Sequence, residues 1–152
     1  MLRGPKPLIQ FHYLSVPFLF TNRTGLKSFL IRMIGREGFS IACINYIFCT
    51  DGYLLKINQE YLGHNTYTDI ISFQLSKPGE LLLADIYIST ERVRENAKNL
   101  KVSFREELHR VIFHGSLHLC GYKDKTPNDI NKMRQKENEW LQKYLFHKKQ
   151  FH

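Results

Sequence analysis

The run IISFQLSKPGELLLADIYIS, Ile70 to Ser89, decides the fold class. Two stretches rich in β-branched and aromatic residues, Ile70 to Leu75 and Leu81 to Ser89, flank Lys77-Pro78-Gly79, which is turn chemistry. They read as a hairpin. Outward toward the N-terminus, Asp51 is placed to cap a helix running to Leu62 and ended by Gly63. Before it, Ile41 to Cys49 is apolar on both faces except at Asn45, the pattern of a central strand. Leu26, Phe29, Leu30, Met33 and Ile34 recur at helical spacing, with Gly35 and Gly38 as stops. Ile9, Phe11 and Tyr13 alternate with Gln10 and His12, as in an extended segment.

Outward toward the C-terminus the chain turns helical. Glu91 to Leu100 is a polar-faced helix. Ser103 with Glu106 forms a capping box for a helix carrying Leu108, Ile112 and Leu119. A last helix has Thr126 as N-cap and Pro127 at its first position, with a stripe of Ile130, Met133, Glu137, Trp140, Leu141 and Tyr144. The sum is an α+β fold: a single domain from residue 8 to 146, a four-stranded mixed sheet packed by about five helices. Residues 1–7 and 147–152 lack an apolar period and read as flexible tails.

Composition narrows the class. The 152 residues are 43% hydrophobic and 24% charged, an ordinary globular balance that excludes a disordered chain. No apolar run reaches the roughly 18 residues needed to span a bilayer. Leu14 to Phe20 is too short and holds Pro17, so it reads as structure and not as a secretion signal. Cys43, Cys49 and Cys120 are odd in number, with no CxxC, which suits a reducing cytoplasm. Lys and Arg number 22 against 14 Asp and Glu, and 22 − 14 leaves a net charge of +8. Such a chain attracts polyanions.

Chemistry concentrates in HGSLHLCGYKD, His114 to Asp124. On a helix, His114 and His118 project from one face a turn apart, a spacing at which two imidazoles bind one metal ion. Gly121 offers the left-handed turn that returns the chain, so that Asp124 approaches as a third ligand. Three protein ligands leave an open position, the form of a catalytic site rather than a structural one. The spacing matches the metzincin pattern HExxHxxGxxH, except that Gly115 replaces the glutamate base and Asp124 the third histidine. The first difference argues against a protease mechanism.

The same residues resemble the YbeY family of bacterial rRNA maturation factors, described as single-strand-specific, metal-dependent endoribonucleases. The family hallmark H-G-x-L-H-L-x-G-Y-D-H is matched by His114, Gly115, Leu117, His118, Leu119, Gly121 and Tyr122. A block similar to T-D-V-L-S-F stands at Thr68 to Phe73, preceded by Asn58 and Tyr61, and a G-D-I strand at Ala84, Asp85 and Ile86. The blocks follow family order over residues 41–145. Four positions depart from it: Asp124 stands for the third histidine, Lys123 before it for an aspartate, Leu62 for an arginine with a catalytic role, and Ala84 for a glycine. Either Asp124 takes over the ligand role, the preferred reading, or the third ligand comes from elsewhere.

The resemblance implies a zincin-like cleft holding one Zn2+, with Ni, Co or Fe open to the same ligands. It implies single-stranded RNA, rRNA and the ribosome or its small subunit as partners, and cytoplasmic action in rRNA processing and ribosome quality control. Around the metal ligands, Arg110, Asp85 and Lys123 are the candidate catalytic residues, with no base assigned. Arg110 reads either as a phosphate grip on the His114 face or as an exposed cation. Glu107 reads as a surface residue and His109 as a core histidine. Glu137, interrupting an apolar stripe, must sit at the rim or pair with a histidine or arginine. Asp69 and Ser72 fall at the strand edge that the family places near the cleft. Two other readings stay open: a metal-dependent hydrolase of another substrate, such as a peptidase, and a ribosome-associated RNA-binding factor with weak or no nuclease activity.

Overall fold

A computed structural model describes residues 5–146. The tail expectations for residues 1–4 and 147–152 lie outside the described residues. Four strands, β1 (Leu8–Tyr13), β2 (Ile41–Cys49), β3 (Ile70–Gln74) and β4 (Leu82–Ser89), form one sheet in the order β1-β2-β4-β3. The helices are α1 (Arg23–Arg36), α2 (Asp51–Leu62), α3 (Thr90–Leu100), α4 (Phe104–Leu119) and α5 (Pro127–Leu141), the last running into a π-helical turn, Gln142–Phe146. The α+β class and mixed sheet follow the sequence reading. β1, β2 and β4 are parallel, joined through helical crossovers as parallel strands require, and β3 returns antiparallel as the hairpin partner of β4.

Alternation along the strands divides the core. Ile9, Ile44, Tyr46, Phe48, Leu82, Ala84, Ile86 and Ile88 face one side and pack with α1, α4 and α5. On the other side a smaller cluster of Cys49, Leu54, Ile57 and Ile71 lies under α2. Each helix starts at a side-chain cap: Asn22, Thr50, Ser89, Ser103 and Thr126 each accept a backbone N–H from the first turn. Thr50, not Asp51, caps α2, because its hydroxyl accepts from the Tyr53 amide at 3.2 Å while Asp51 already lies in the first turn. α1 passes through Gly35 to Arg36 and is followed by Gly38 at φ 91°. Ile130 leaves the expected stripe and is 46% exposed, since it sits in the first turn of α5 before the helix meets the core.

Gly115 explains how closely α4 lies on the sheet. A Cβ there would stand 2.7 Å from Ile70 Cδ1 and 3.2 Å from Ile86 Cγ2. Any side chain at this position would have to displace the end of the Ile70 side chain and crowd Ile86, so the glycine lets the helix pack closely on β3 and β4.

His109 belongs to the core, as expected. It is 4% exposed, its Nδ1 donates to the Arg105 carbonyl at 2.7 Å, and its ring stacks on Tyr144. Burial pulls its pKa from 6.5 down to about 4. The unfolded chain therefore takes up this proton first, so the neutral ring's stabilisation is intact above about pH 6.5 and is lost as pH falls toward 4. Between pH 7 and 4.5 the wild type should lose about 2–3 kcal/mol more unfolding free energy than His109→Leu. Asp69 and Glu107, pushed upward by burial, act with opposite sign in the same window, so only the difference between the two proteins isolates His109. Equal losses in denaturant titrations would contradict the assignment.

Candidate active site

α4 presents Glu107, Arg110, Val111 and His114 along one face, and α5 brings Arg134 and Glu137 against it. With Thr68, Asp69 and Ile70 from the approach to β3, and with Asp124, they line a cavity of about 360 Å³. His114 sits between two carboxylates. Its Nδ1 donates to Glu137 Oε2 at 2.7 Å, and its Nε2 lies 3.3 Å from Asp124 Oδ2. Burial lowers the proton affinity of the ring, but the Glu137 hydrogen bond and the charges of Glu137, Asp124 and Asp69 outweigh it and raise the pKa above 6.5. Nε2 and Asp124 Oδ2 thus face each other while the other ring nitrogen is committed to Glu137.

A metal ion suits the position between Nε2 and Asp124. Nitrogen and carboxylate ligands each at about 2.0–2.1 Å from a tetrahedral ion lie about 3.3 Å from each other. The Nδ1 bond to Glu137 leaves Nε2 as the nitrogen that could hold a metal ion and orients the ring, the support that metal-binding histidines use. His118 carries the same preparation: its Nδ1 donates to the Tyr122 carbonyl at 3.1 Å, leaving Nε2 free. Its ring is exposed at the end of α4. His114 and Asp124 are brought together; among the described residues, no three His, Cys, Asp or Glu side chains are gathered around one point. Tyr122 is held in turn by its hydroxyl on Glu37 Oε1 at 2.8 Å, which pins the Gly121 turn at φ 95° against the end of α1.

Glu137 resolves as a partner of both a histidine and an arginine. It is 3% exposed, and besides His114 it receives Arg110 Nη1 at 3.3 Å. Arg110 is therefore neither exposed nor free to grip a phosphate: Asn138 Oδ1 accepts from it at 2.9 Å, and Glu107 Oε1 lies 3.7 Å from its Nε. Glu107, read from sequence as a surface residue, is 4% exposed, because α5 closes over it. Its Oε1 has no hydrogen-bond partner and burial raises its pKa. Asp69 lines the same cavity and is also raised by burial, against the lowering pull of His114.

Asp85 does not reach the cavity. Ile86 faces the Gly115 side of the sheet, so Asp85, one residue earlier, faces the other. There it accepts from Asn45 Nδ2 at 3.0 Å, and Asn45 Oδ1 pairs with His12 Nε2 at 2.9 Å. Ser72, opposite Ile86, lies on the cavity side and lines the adjoining groove. Lys123 is exposed in the turn beside Asp124.

A mixed sheet with a histidine and carboxylate cleft beside its edge strand defines an α+β protein with a candidate reactive cavity. The family profile described as Endoribonuclease YbeY matches residues 23–145. Proteins named endoribonuclease YbeY from Flavobacterium psychrophilum, Flavobacterium johnsoniae and Porphyromonas gingivalis are 52%, 48% and 42% identical to this chain. The first two matches cover 94% of this chain and 99% and 100% of those proteins, and the third covers 88% and 87%. The chain belongs to the endoribonuclease YbeY family, and it is an enzyme, a nuclease of the hydrolase class. The solution structure of TM1509 from Thermotoga maritima shares the fold, with a TM-score of 0.62 over 92% of this chain and 93% of that one at 22% identity.

Proposed function

We propose that the protein is a metal-dependent endoribonuclease that cuts single-stranded RNA during ribosomal RNA maturation, with His114, His118 and Asp124 holding the ion. The observation that carries this reading is the 3.3 Å approach of Asp124 to a His114 ring whose other nitrogen is committed to Glu137. Asp124 takes the ligand role of the family histidine, and His118, one helical turn beyond His114 and not gathered with it and Asp124 in the structure, is the third ligand in this reading. Two imidazoles and a carboxylate suit Zn2+, with Ni, Co and Fe as competitors. When bound, such an ion supplies Lewis acidity to a phosphate oxygen and lowers the pKa of water.

The chain's own residues divide the remaining work. Glu137 holds the His114 ring in orientation, and Arg110 and Arg134 balance the buried Glu137 charge. Gly115 supplies no carboxylate base, so proton transfer falls to Asp69 or Glu107, cavity carboxyls whose burial makes them better proton carriers than exposed ones. Lys123 stands free in the turn to offset phosphate charge. The net charge of +8 draws a polyanion to the protein, so affinity should fall as salt rises. In this reading the enzyme works in the cytoplasm, with the ribosome or its small subunit as partner and ribosome quality control as part of its role.

Dialysis against a chelator should abolish scission of a single-stranded oligoribonucleotide, and Zn2+ should restore it. Undiminished cleavage after verified metal removal would overturn the proposal. RNA binding with no scission in any metal would favour a binding factor instead.

A further inference from the structure

A second space opens beside the catalytic cavity. Thr68 and Ile70 line both, and the neighbouring groove of about 420 Å³ runs past Ser72, Asn58 and the 63–68 loop. That loop is tied down. Asn58, 3% exposed, donates from Nδ2 to the Thr66 carbonyl at 2.8 Å, and its own carbonyl accepts from the Gly63 and His64 amides, the latter at 3.1 Å. Gln59 adds a hydrogen bond to the Asn65 side chain.

On this anchored loop, Tyr67 is 56% exposed and lines the groove two residues before Asp69 of the catalytic cavity. Its ring is not loose. The Arg92 guanidinium lies over it, 5.0 Å from the centroid. Arg92 is itself fixed by two bonds to Asp51, at 2.7 and 3.4 Å, so the cation beneath the ring is immobilised from α2. An exposed aromatic ring on an anchored loop, with a fixed cation against it, is a stacking surface for another planar group.

We infer that Tyr67 is a base-stacking platform, the subsite for an unpaired nucleobase next to the scissile phosphodiester. The inference rests on the RNA-cleaving reading and extends it to how the substrate is held. Every base has a π-face, so stacking here gives affinity without sequence choice. A base in a duplex is already stacked on its neighbours and cannot reach the loop, which supplies a physical reason for preferring single strands.

Tyr67→Ala should raise KM for a single-stranded oligoribonucleotide about tenfold, within the range of a lost base–aromatic stack, while kcat and metal content stay near wild type. Tyr67→Phe should behave as wild type and Tyr67→Leu as alanine, since the leucine keeps bulk without a π-face. The salt dependence of KM should be unchanged, because no phosphate contact is lost. Tyr53→Ala, an exposed tyrosine outside the groove, should leave KM alone. An unchanged KM in both Tyr67→Ala and Tyr67→Leu, or a Tyr67→Phe that fails like alanine, overturns the platform while wild-type cleavage still stands. A wild type that cleaves no single-stranded RNA overturns the function itself.

Discussion

His114→Ala loses bound metal and RNA cleavage together. The ring is the pivot of the cavity, tied to Glu137 through one nitrogen and facing Asp124 through the other. Removing it leaves Glu137, 3% exposed, with Arg110 and Arg134 as its remaining ionic partners, and takes away a ligand instead of an orienting bond. The loss of cleavage should exceed the roughly 10- to 100-fold typical of a lost orienting partner. Because Arg110 and Arg134 keep Glu137 paired, the fold should survive, which thermal unfolding of the variant will show. Metal content measured by elemental analysis beside single-turnover cleavage decides the case. A variant that retains both metal and metal-dependent cleavage would sink the ligand assignment.

Glu137→Ala is expected to act on stability and metal affinity at once. The carboxylate joins the His114 ring and two cations, Arg110 and Arg134, at the junction of α4 and α5. Breaking a buried ion pair from one side costs about 3–5 kcal/mol, because the partner charges remain buried. Arg110, whose side chain is 16% exposed, keeps Asn138 and Glu107, so the lower end of that range, about 3 kcal/mol, is the expected loss. The freed His114 ring should also bind metal about 10- to 100-fold more weakly. Urea titration and metal competition read the two effects separately. Wild-type values in both would show that the pairing matters to neither.

Much of the fold was legible because its signals are local. The hairpin over Ile70 to Ser89, the strand Ile41–Cys49 and the buried stripe Leu26, Phe29, Leu30, Met33 and Ile34 follow from side-chain period alone. Thr126 and Ser103 announce their helices through capping chemistry, and the structure places them as N-caps. The errors came where a neighbouring element decides. Glu107 and Arg110 have the look of a solvated face until α5 lies across them, and Ile130 has the look of a core residue until the helix is seen to meet the core one turn later. Asp85 follows Ala84 in a recognisable motif, yet the pleat sends it to the face opposite His114. Strand parity carried that signal, because Ile86 belongs to the main core and adjacent residues point opposite ways. Tyr67 had no signal of its own, since its partner Arg92 lies on another helix.

The sequence by itself determined the elements, the mixed α+β class and the spacing that puts His114, His118 and Asp124 near one helix end, because period, caps and turn chemistry act within a few residues. Only the tertiary structure decided that Glu137 meets His114, that Asp69 and Glu107 share the cavity, and that the tyrosine loop extends it. Those relations join residues separated by many turns of chain, and they are set by how α5 and the hairpin pack on α4. Gly115 shows both levels in one residue. Its absence of a side chain is plain in the sequence, but the reason, Ile70 and Ile86 within van der Waals reach, exists only in the folded protein.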